Sequence, residues 1–387
     1  MRTPILIAAL LALSTPAQAA CGGDFAAFLG GIKAEAVGKG HAAADVDRFL
    51  ARAKRDPAVI AADRKQGVYQ LDFTSFSKRL VSLKRIQDGQ IRSRRHDAIF
   101  KAAEQHYGIP RGVLLAFWAF ETDYGNFQGD FNTLNALLTL SHDCRRPDLF
   151  RPQIFAALTL FEQGDFDPVR TTGAWAGEVG MVQMLPADIL ENGVDGNGDG
   201  HVTLKTSPAD ALLSGANMLR SLGWKAGQPW LQEVTVPATM DWSLSGVGKP
   251  RAAAEWARLG VRPRAGQLAP LPASLILPQG HKGPAFLAYP NFDVFFEWNQ
   301  SFTYVLTAAE FANRLSGAPE FRATTPEAGL SGDRMKALQQ RLAQRGHEVG
   351  LIDGILGAGT RVAVQKEQQR LGLPADGWPT AALLDRL

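Results

Sequence analysis

The sequence predicts a mainly α protein of two folded parts behind an export signal, and three observations carry that reading. The chain has 387 residues, roughly two to three times the usual single domain. With 45% hydrophobic and 20% charged residues it can bury a sizeable core, which a disordered tail cannot. Apolar residues recur at helical spacing over most of the chain, with few strand-like alternations.

The first element is an address. Arg2, an apolar stretch from Ile5 to Leu13 and the small-x-small site Ala17-Gln18-Ala19 read as a signal peptide over residues 1–19, cleaved after Ala19; a buried first helix is the alternative. Export predicts a periplasmic protein. Cys21 follows the cleavage point, so a lipid-modified N-terminus is a second possibility and the only route to membrane contact. The chain has two cysteines, Cys21 and Cys144, and an oxidising compartment lets such a pair close into a disulfide; two free thiols are the other reading.

A region from 20 to 316 follows, in which 96–107, 112–121, 150–163 and 208–222 read as helices punctuated by Gly, Asp and Pro. Residues 223–300 hold most of the Trp and many of the Pro without clear periodicity and are expected to be irregular. Residues 317–329 have linker composition. The remainder, 330–387, shows Met335, Leu338 and Leu342 on one helical face before Gly346, a second helix near 360–371 and a third close to the end, separated by the turns Asp353-Gly354 and Asp376-Gly377. That is a small three-helix module.

Several function classes fall away. The balance of 41 basic and 38 acidic residues, net +3, argues against a nucleic-acid partner. There is no Gly-x-Ser-x-Gly elbow and no Gly-Lys-Ser/Thr phosphate loop, and the seven histidines are scattered without metal-ligand spacing. What remains is the segment from Pro110 to Gly125. Leu114, Phe117, Trp118 and Glu121 stand at i, i+3, i+4 and i+7, so the only acid of this helix shares a face with its large apolar side chains, near the helix C-terminus. Apolar surroundings and the macrodipole both favour the protonated form there. A carboxylic acid held protonated suits a glycosidic oxygen that must leave. An acid that merely reaches solvent from a fraying helix end is the bland alternative.

Glu121-Thr-Asp-Tyr-Gly125, Thr133-Leu-Asn-Ala-Leu137 with Thr139-Leu-Ser141, Ala176-Gly177-x-x-Gly180-x-x-Gln183-x-x-Pro186, Pro278-x-Gly280-x-x-Gly283-Pro-Ala-Phe-Leu287, and Asn291-Phe292 followed by Asn299-x-Ser301-x-x-Tyr304 occur in that order. Together they resemble the lytic murein transglycosylase B family. The resemblance implies a lysozyme-like helical catalytic domain, and a periplasmic enzyme that cleaves peptidoglycan between N-acetylmuramic acid and N-acetylglucosamine without water. It implies that Glu121 acts as acid on the glycosidic oxygen, then as base on the muramoyl 6-hydroxyl, leaving a 1,6-anhydro end. The substrate's acetamido group would replace a second carboxylate, so no catalytic cofactor is needed. By position, Gln183, Asn299, Tyr304 and Trp298 fall where the family lines its sugar cleft, with Tyr124 beside the acid. Amides and aromatic faces suit sugars, although Trp175 and Trp298 are as easily packing residues. A monomer acting on glycan strands is expected.

Three departures bear on this. Ala174 stands where relatives carry Ser, Trp298 and Phe76 replace tyrosines, and Glu178 stands where a small apolar residue is usual. Glu178 is read as a solvated acid, or as a second carboxylate that would permit hydrolysis by a muramidase mechanism. A silent wall-binding scaffold is a further alternative.

Asp195-Gly-Asn197-Gly-Asp199-Gly-His201 has the spacing of a calcium loop, with oxygen ligands at positions 1, 3 and 5, a sharp-turn Gly at 6 and a carbonyl at 7. Position 12 is Thr206 instead of Glu, and the resemblance implies that Asp210 closes an extended loop around a structural Ca²⁺. A plain Asp-Gly turn is the alternative. Finally, Leu338-Gln339, Gly346, Ile352-Asp-Gly-Ile-Leu-Gly357 and Thr360-x-x-Ala363-Val364 resemble the peptidoglycan-binding type 1 domain, with Glu367 where Phe is usual. On that reading a flexible linker tethers the enzyme to its polymer.

Overall fold

The structure is a computed structural model that describes residues 21–65 and 71–387; the expected signal peptide lies outside the described residues. The chain forms two compact units. The first takes residues up to 64, 129–179 and 185–190; the second takes 65–128, 180–184 and 191–387.

The first unit is helical. Phe25–Gly38, Ala43–Leu50, Pro57–Arg64, Thr133–His142 and Pro147–Gln163 make up most of it, with a two-stranded antiparallel pair, Phe131–Asn132 against Thr172–Gly173. All ten residues of Thr133–His142 are buried, which accounts for the Thr-Leu-Asn-Ala-Leu block. Asn135 Oδ1 accepts from Lys54 N (2.9 Å) and Thr139 Oγ1 from Asp56 N (2.9 Å), so two polar residues one turn apart satisfy backbone donors at the start of a neighbouring helix. The Cys21–Cys144 disulfide is present, with Cα atoms 5.1 Å apart. Beside it Gly22 N donates to His142 O, and the His142 ring packs edge-on to Phe25 and Phe28. With its sulfur bonded to Cys144, Cys21 has no thiol to carry a lipid, so the disulfide and anchor expectations exclude each other and the structure has the disulfide.

The second unit contains Arg111–Thr122, Pro208–Ser221, Pro290–Trp298 and Phe302–Leu315, and the predicted helices agree with it to within a few residues. The stretch expected to be irregular is instead a five-stranded antiparallel sheet, in the order Arg251–Ala252, Pro272–Ile276, Ala285–Ala288, Leu231–Thr235, Arg262–Pro263. Its strands have two to five residues, and Ala285–Ala288 is buried throughout. A short strand buried on both faces has no polar–apolar alternation to reveal it. Trp242, Trp256, Leu275, Leu287 and Tyr289 fill its core.

The C-terminal module has the three helices Gly332–Gln344, Ala358–Arg370 and Ala381–Arg386 around Met335, Leu338, Leu342, Val364 and Leu383. Glu367, at the position where Phe was expected, is buried but meets His347 Nε2 (2.9 Å) and Arg370 Nε (2.9 Å), and the Arg370 hydrogen bond holds its carboxyl below the usual range. The expected flexible linker is pinned. Phe321 is buried against Phe73 and Phe286, and Arg322 N donates to Glu233 Oε1 (2.8 Å). The module itself docks on the short 3-10 turn Trp242–Leu244 through Gln365, whose Nε2 donates to the carbonyls of Trp242 (3.3 Å) and Ser245 (3.0 Å).

Candidate active site

The helix Arg111–Thr122 buries nine of its twelve residues, so Glu121, half-buried at its last turn, projects from a fixed element. Gly112 lets this helix approach Phe302–Leu315 closely: a Cβ there would sit 2.6 Å from Ala312 O. The helix ends in three successive left-handed residues, Asp123 (φ 49°), Tyr124 (φ 61°) and Gly125 (φ 88°). Two of these are not glycine, a costly arrangement that persists only where surroundings over-determine it. Thr122 does so, its Oγ1 donating to Met181 O (2.6 Å) and accepting from Gly125 N (2.9 Å). Arg85 pairs with Asp123 (3.1 Å), and the Arg92 guanidinium lies 4.9 Å from the Tyr124 ring centroid.

One oxygen of Glu121 receives two side-chain donors. Tyr304 Oη donates to Oε1 at 2.6 Å and Trp298 Nε1 donates to the same atom at 2.9 Å. The Tyr304 distance is at the short end for an O–H···O bond and the Trp298 distance is ordinary for N–H···O. Phe117, one turn before Glu121, stacks on Trp298 (4.4 Å, 28°), and Phe120 meets Tyr304 edge-on (5.7 Å). The apolar face of the helix therefore positions the two donors as well as filling the core.

The sequence placed Tyr304 and Trp298 among sugar-contacting groups; the structure brings both to the acid itself, a role no spacing could reveal across the 183 and 177 residues that separate them from Glu121. Asn299 acts on the chain: its Oδ1 accepts from Ser301 N (2.9 Å), which breaks Pro290–Trp298 from Phe302–Leu315 and starts the turn that aims Tyr304. Gln183, at φ 55°, donates from Nε2 to Gly180 O (2.8 Å), so part of its amide is committed to its own loop. Tyr124 is not an open recognition face: it is 3% exposed and its hydroxyl donates to Arg85 O (2.8 Å), so it supports the turn behind Glu121.

Trp175 and Glu178 lie in the first unit. Trp175 is half-buried in the turn closed by Gly177 N to Ala174 O. The Glu178 carboxyl is no solvated acid; burial raises its pKa, and Oε2 has no hydrogen-bond partner among the described residues.

In the 195–201 loop, Asp195 accepts from the backbone of Gly198, Asp199 and Gly200 (2.7, 3.2 and 2.8 Å), and these bonds hold its carboxyl below the ordinary range. Asn197 Nδ2 reaches Asp199 Oδ2 (2.9 Å), and Asp199 Oδ1 accepts from His201 N (2.9 Å). Asp210 is fully buried at the start of Pro208–Ser221. Its oxygens accept from Gly196 N, Ser207 Oγ, Thr203 N and Thr203 Oγ1 (3.1, 2.7, 2.8 and 3.2 Å), four bonds that match the lone-pair sites of a carboxylate. Asp210 thus closes the loop by hydrogen bonding. Among the described residues no group of three His, Cys, Asp or Glu side chains is arranged to hold a metal, so any ion here would draw on Asp195, Asp199, the Asn197 amide and main-chain carbonyls.

Comparison with known proteins places this geometry. Residues 24–313 match the family described as Transglycosylase SLT domain, and residues 331–387 match the peptidoglycan binding domain family. The membrane-bound lytic murein transglycosylase B of Escherichia coli (strain K12) is 30% identical over 153 residues, 39% of this chain and 42% of that protein, so the alignment spans less than half of the relative. The crystal structure of SltB3 from Pseudomonas aeruginosa in complex with NAG-anhNAM-pentapeptide is 36% identical, with a TM-score of 0.85 over 94% of this chain and 99% of that one. The Escherichia coli lytic transglycosylase SLT35 in complex with calcium is 25% identical, with a TM-score of 0.66 over 79% of this chain and 98% of that one.

Proposed function

The chain belongs to the transglycosylase SLT domain family, and from that premise we propose that it is a periplasmic lytic transglycosylase that cleaves the MurNAc–GlcNAc bond of peptidoglycan and leaves 1,6-anhydro-MurNAc ends. The observation that carries the reading is the double donation from Tyr304 and Trp298 to Glu121 Oε1. It fixes one carboxyl in a wall of aromatic side chains, as a single acid and base requires.

The steps balance without water. Glu121 gives its proton to the glycosidic oxygen as the C1–O bond breaks. The substrate's acetamido group stabilises the cationic centre, and the Glu121 carboxylate then takes the proton of the muramoyl 6-hydroxyl as O6 bonds to C1. Tyr304 and Trp298 stabilise the carboxylate between the two transfers. Crystallisation of SltB3 with an anhydro sugar peptide supports the product assignment. Mass spectrometry of material released from purified sacculi is expected to show muropeptides one water lighter than reducing-end products. Full-weight ends would mean a hydrolytic muramidase, and no release would mean a wall-binding scaffold.

We propose further that the 195–201 loop binds a structural Ca²⁺ through Asp195, Asn197, Asp199 and the His201 carbonyl, with Asp210 holding the loop closed. The loop's hydrogen bonds already gather those oxygens, and SLT35 was crystallised with calcium. At a calcium concentration about ten times Kd, binding to the native state alone adds about 1.4 kcal/mol, a rise in melting temperature of about 2 °C for a chain of this size. Scanning calorimetry with calcium and with a chelator checks this; coincident curves would remove the ion.

A further inference from the structure

Arg361 is a half-buried cation with little to hold it. It stands on the second helix of the C-terminal module, where it meets the catalytic part of the chain. Its Nη2 donates to Pro278 O (2.9 Å), Nε is buried without a partner, and the side chain makes no other hydrogen bond among the described residues. A guanidinium has five N–H donors. Burial pulls its pKa down to about 9, which leaves it charged at neutral pH. The guanidinium lies over the Phe302 ring (4.3 Å) and near Trp378 (5.9 Å). The acid that acts on it through space, Asp376, is engaged elsewhere: with His281 Nδ1 (2.6 Å), Gln368 Nε2 (2.9 Å) and Trp378 N (2.9 Å).

The same side chain lines a cavity of about 390 Å³ whose wall also includes Asp72, Gln279, Thr303, Ser331 and Trp378. Here two independent observations meet, a half-buried cation with an unpartnered Nε and a polar space large enough for a ligand group. We propose that this cavity is a carboxylate-binding site in which Arg361 takes the free carboxylate of a peptide branch of the cell-wall polymer. A planar singly charged group matches the guanidinium fork. A phosphate fits worse, because Asp72 and Glu327 share the wall. Asp72 accepts hydrogen bonds from Ser75 and Gln279 but keeps its charge, and Glu327 is paired with Lys282, so the wall repels a singly charged guest less than a doubly charged one.

The site touches the reaction through three consecutive residues. Phe302 packs on Arg361, Thr303 lines the cavity, and Tyr304 donates to Glu121. A peptide carboxylate bound here would set the position of the strand relative to the acid from behind one helical turn. The choice of polymer rests on the function proposed above; the carboxylate chemistry does not.

Isothermal titration of the full chain with N-acetyl-D-alanyl-D-alanine, its C-terminal amide and acetate tests this. The peptide acid is expected to bind at least about tenfold more tightly than the amide or acetate, and Arg361→Gln to lose at least about tenfold, with Arg361→Lys between. Acid and amide binding alike overturns the proposal, as does an unchanged affinity in Arg361→Gln. Acetate binding as tightly as the peptide overturns the peptide assignment and leaves a small-anion site. If Arg361→Gln does not fold, Thr303→Leu, which thickens the cavity wall, gives the same readout, and unchanged affinity again overturns the site. Peptide binding without release from sacculi would keep this site and remove the proposed function; release without peptide binding would do the reverse.

Discussion

Glu121→Gln is expected to lower the rate of muropeptide release by about 10³- to 10⁴-fold, a loss of about 4 to 5 kcal/mol of transition-state stabilisation. The size follows from asking one group to do both proton transfers: the amide can neither give a proton to the leaving oxygen nor take one from the 6-hydroxyl. The fold should not suffer. Gln has the same shape, and its carbonyl can still accept from Tyr304 and Trp298, the donors now 2.6 and 2.9 Å from Oε1. Melting temperature and binding to sacculi should therefore stay near those of the parent while turnover collapses, a split that a structural role for Glu121 would not produce. A variant retaining more than about a tenth of the rate would show that another group carries the proton.

That acid was legible from spacing alone, because i, i+3, i+4 and i+7 positions fix a helical face whatever the rest of the chain does. Its partners were not. Trp298 and Tyr304 reach it from two other helices, and only a resemblance across many blocks pointed to them at all. Their actual contact, with the acid as well as any sugar, required the packing of Phe117 and Phe120 to be seen. Asn135 and Thr139, read as part of a family block, hold the backbone of the segment that leads into Pro57–Arg64. The sheet stayed hidden because four-residue strands such as Ala285–Ala288 are buried on both faces. Linker composition hides contacts for a related reason: a Pro- and Gly-bearing stretch looks mobile, yet it carries one buried ring, Phe321, packed against Phe73 and Phe286.

Stability should fall as pH rises through the weakly acidic range, and Glu310 is the cause. It lies on Phe302–Leu315, the helix that carries Tyr304, and it is 3% exposed. Burial pushes its pKa from 4.5 up to about 7; Arg314, one turn on, opposes this, while Glu233 and Glu320 reinforce it. Oε2 is buried without a hydrogen-bond partner among the described residues. Below the ordinary value both folded and unfolded chains hold the proton, and Glu310 adds no slope. Between that value and about 7 the folded chain keeps a proton the unfolded chain has lost, so each pH unit costs about 1.4 kcal/mol. Above about 7 both are ionised, and about 3 kcal/mol of stability has gone. Glu310→Gln removes this contribution without changing the volume of the side chain. Urea unfolding at about pH 5 and about pH 8 should show the variant gaining about 3 kcal/mol relative to the parent at the higher pH. Parallel behaviour of the two proteins would mean that Glu310 is ionised in the fold across the range. The difference between variant and parent also cancels the slopes of other buried acids, such as Glu178, so it reads this helix alone.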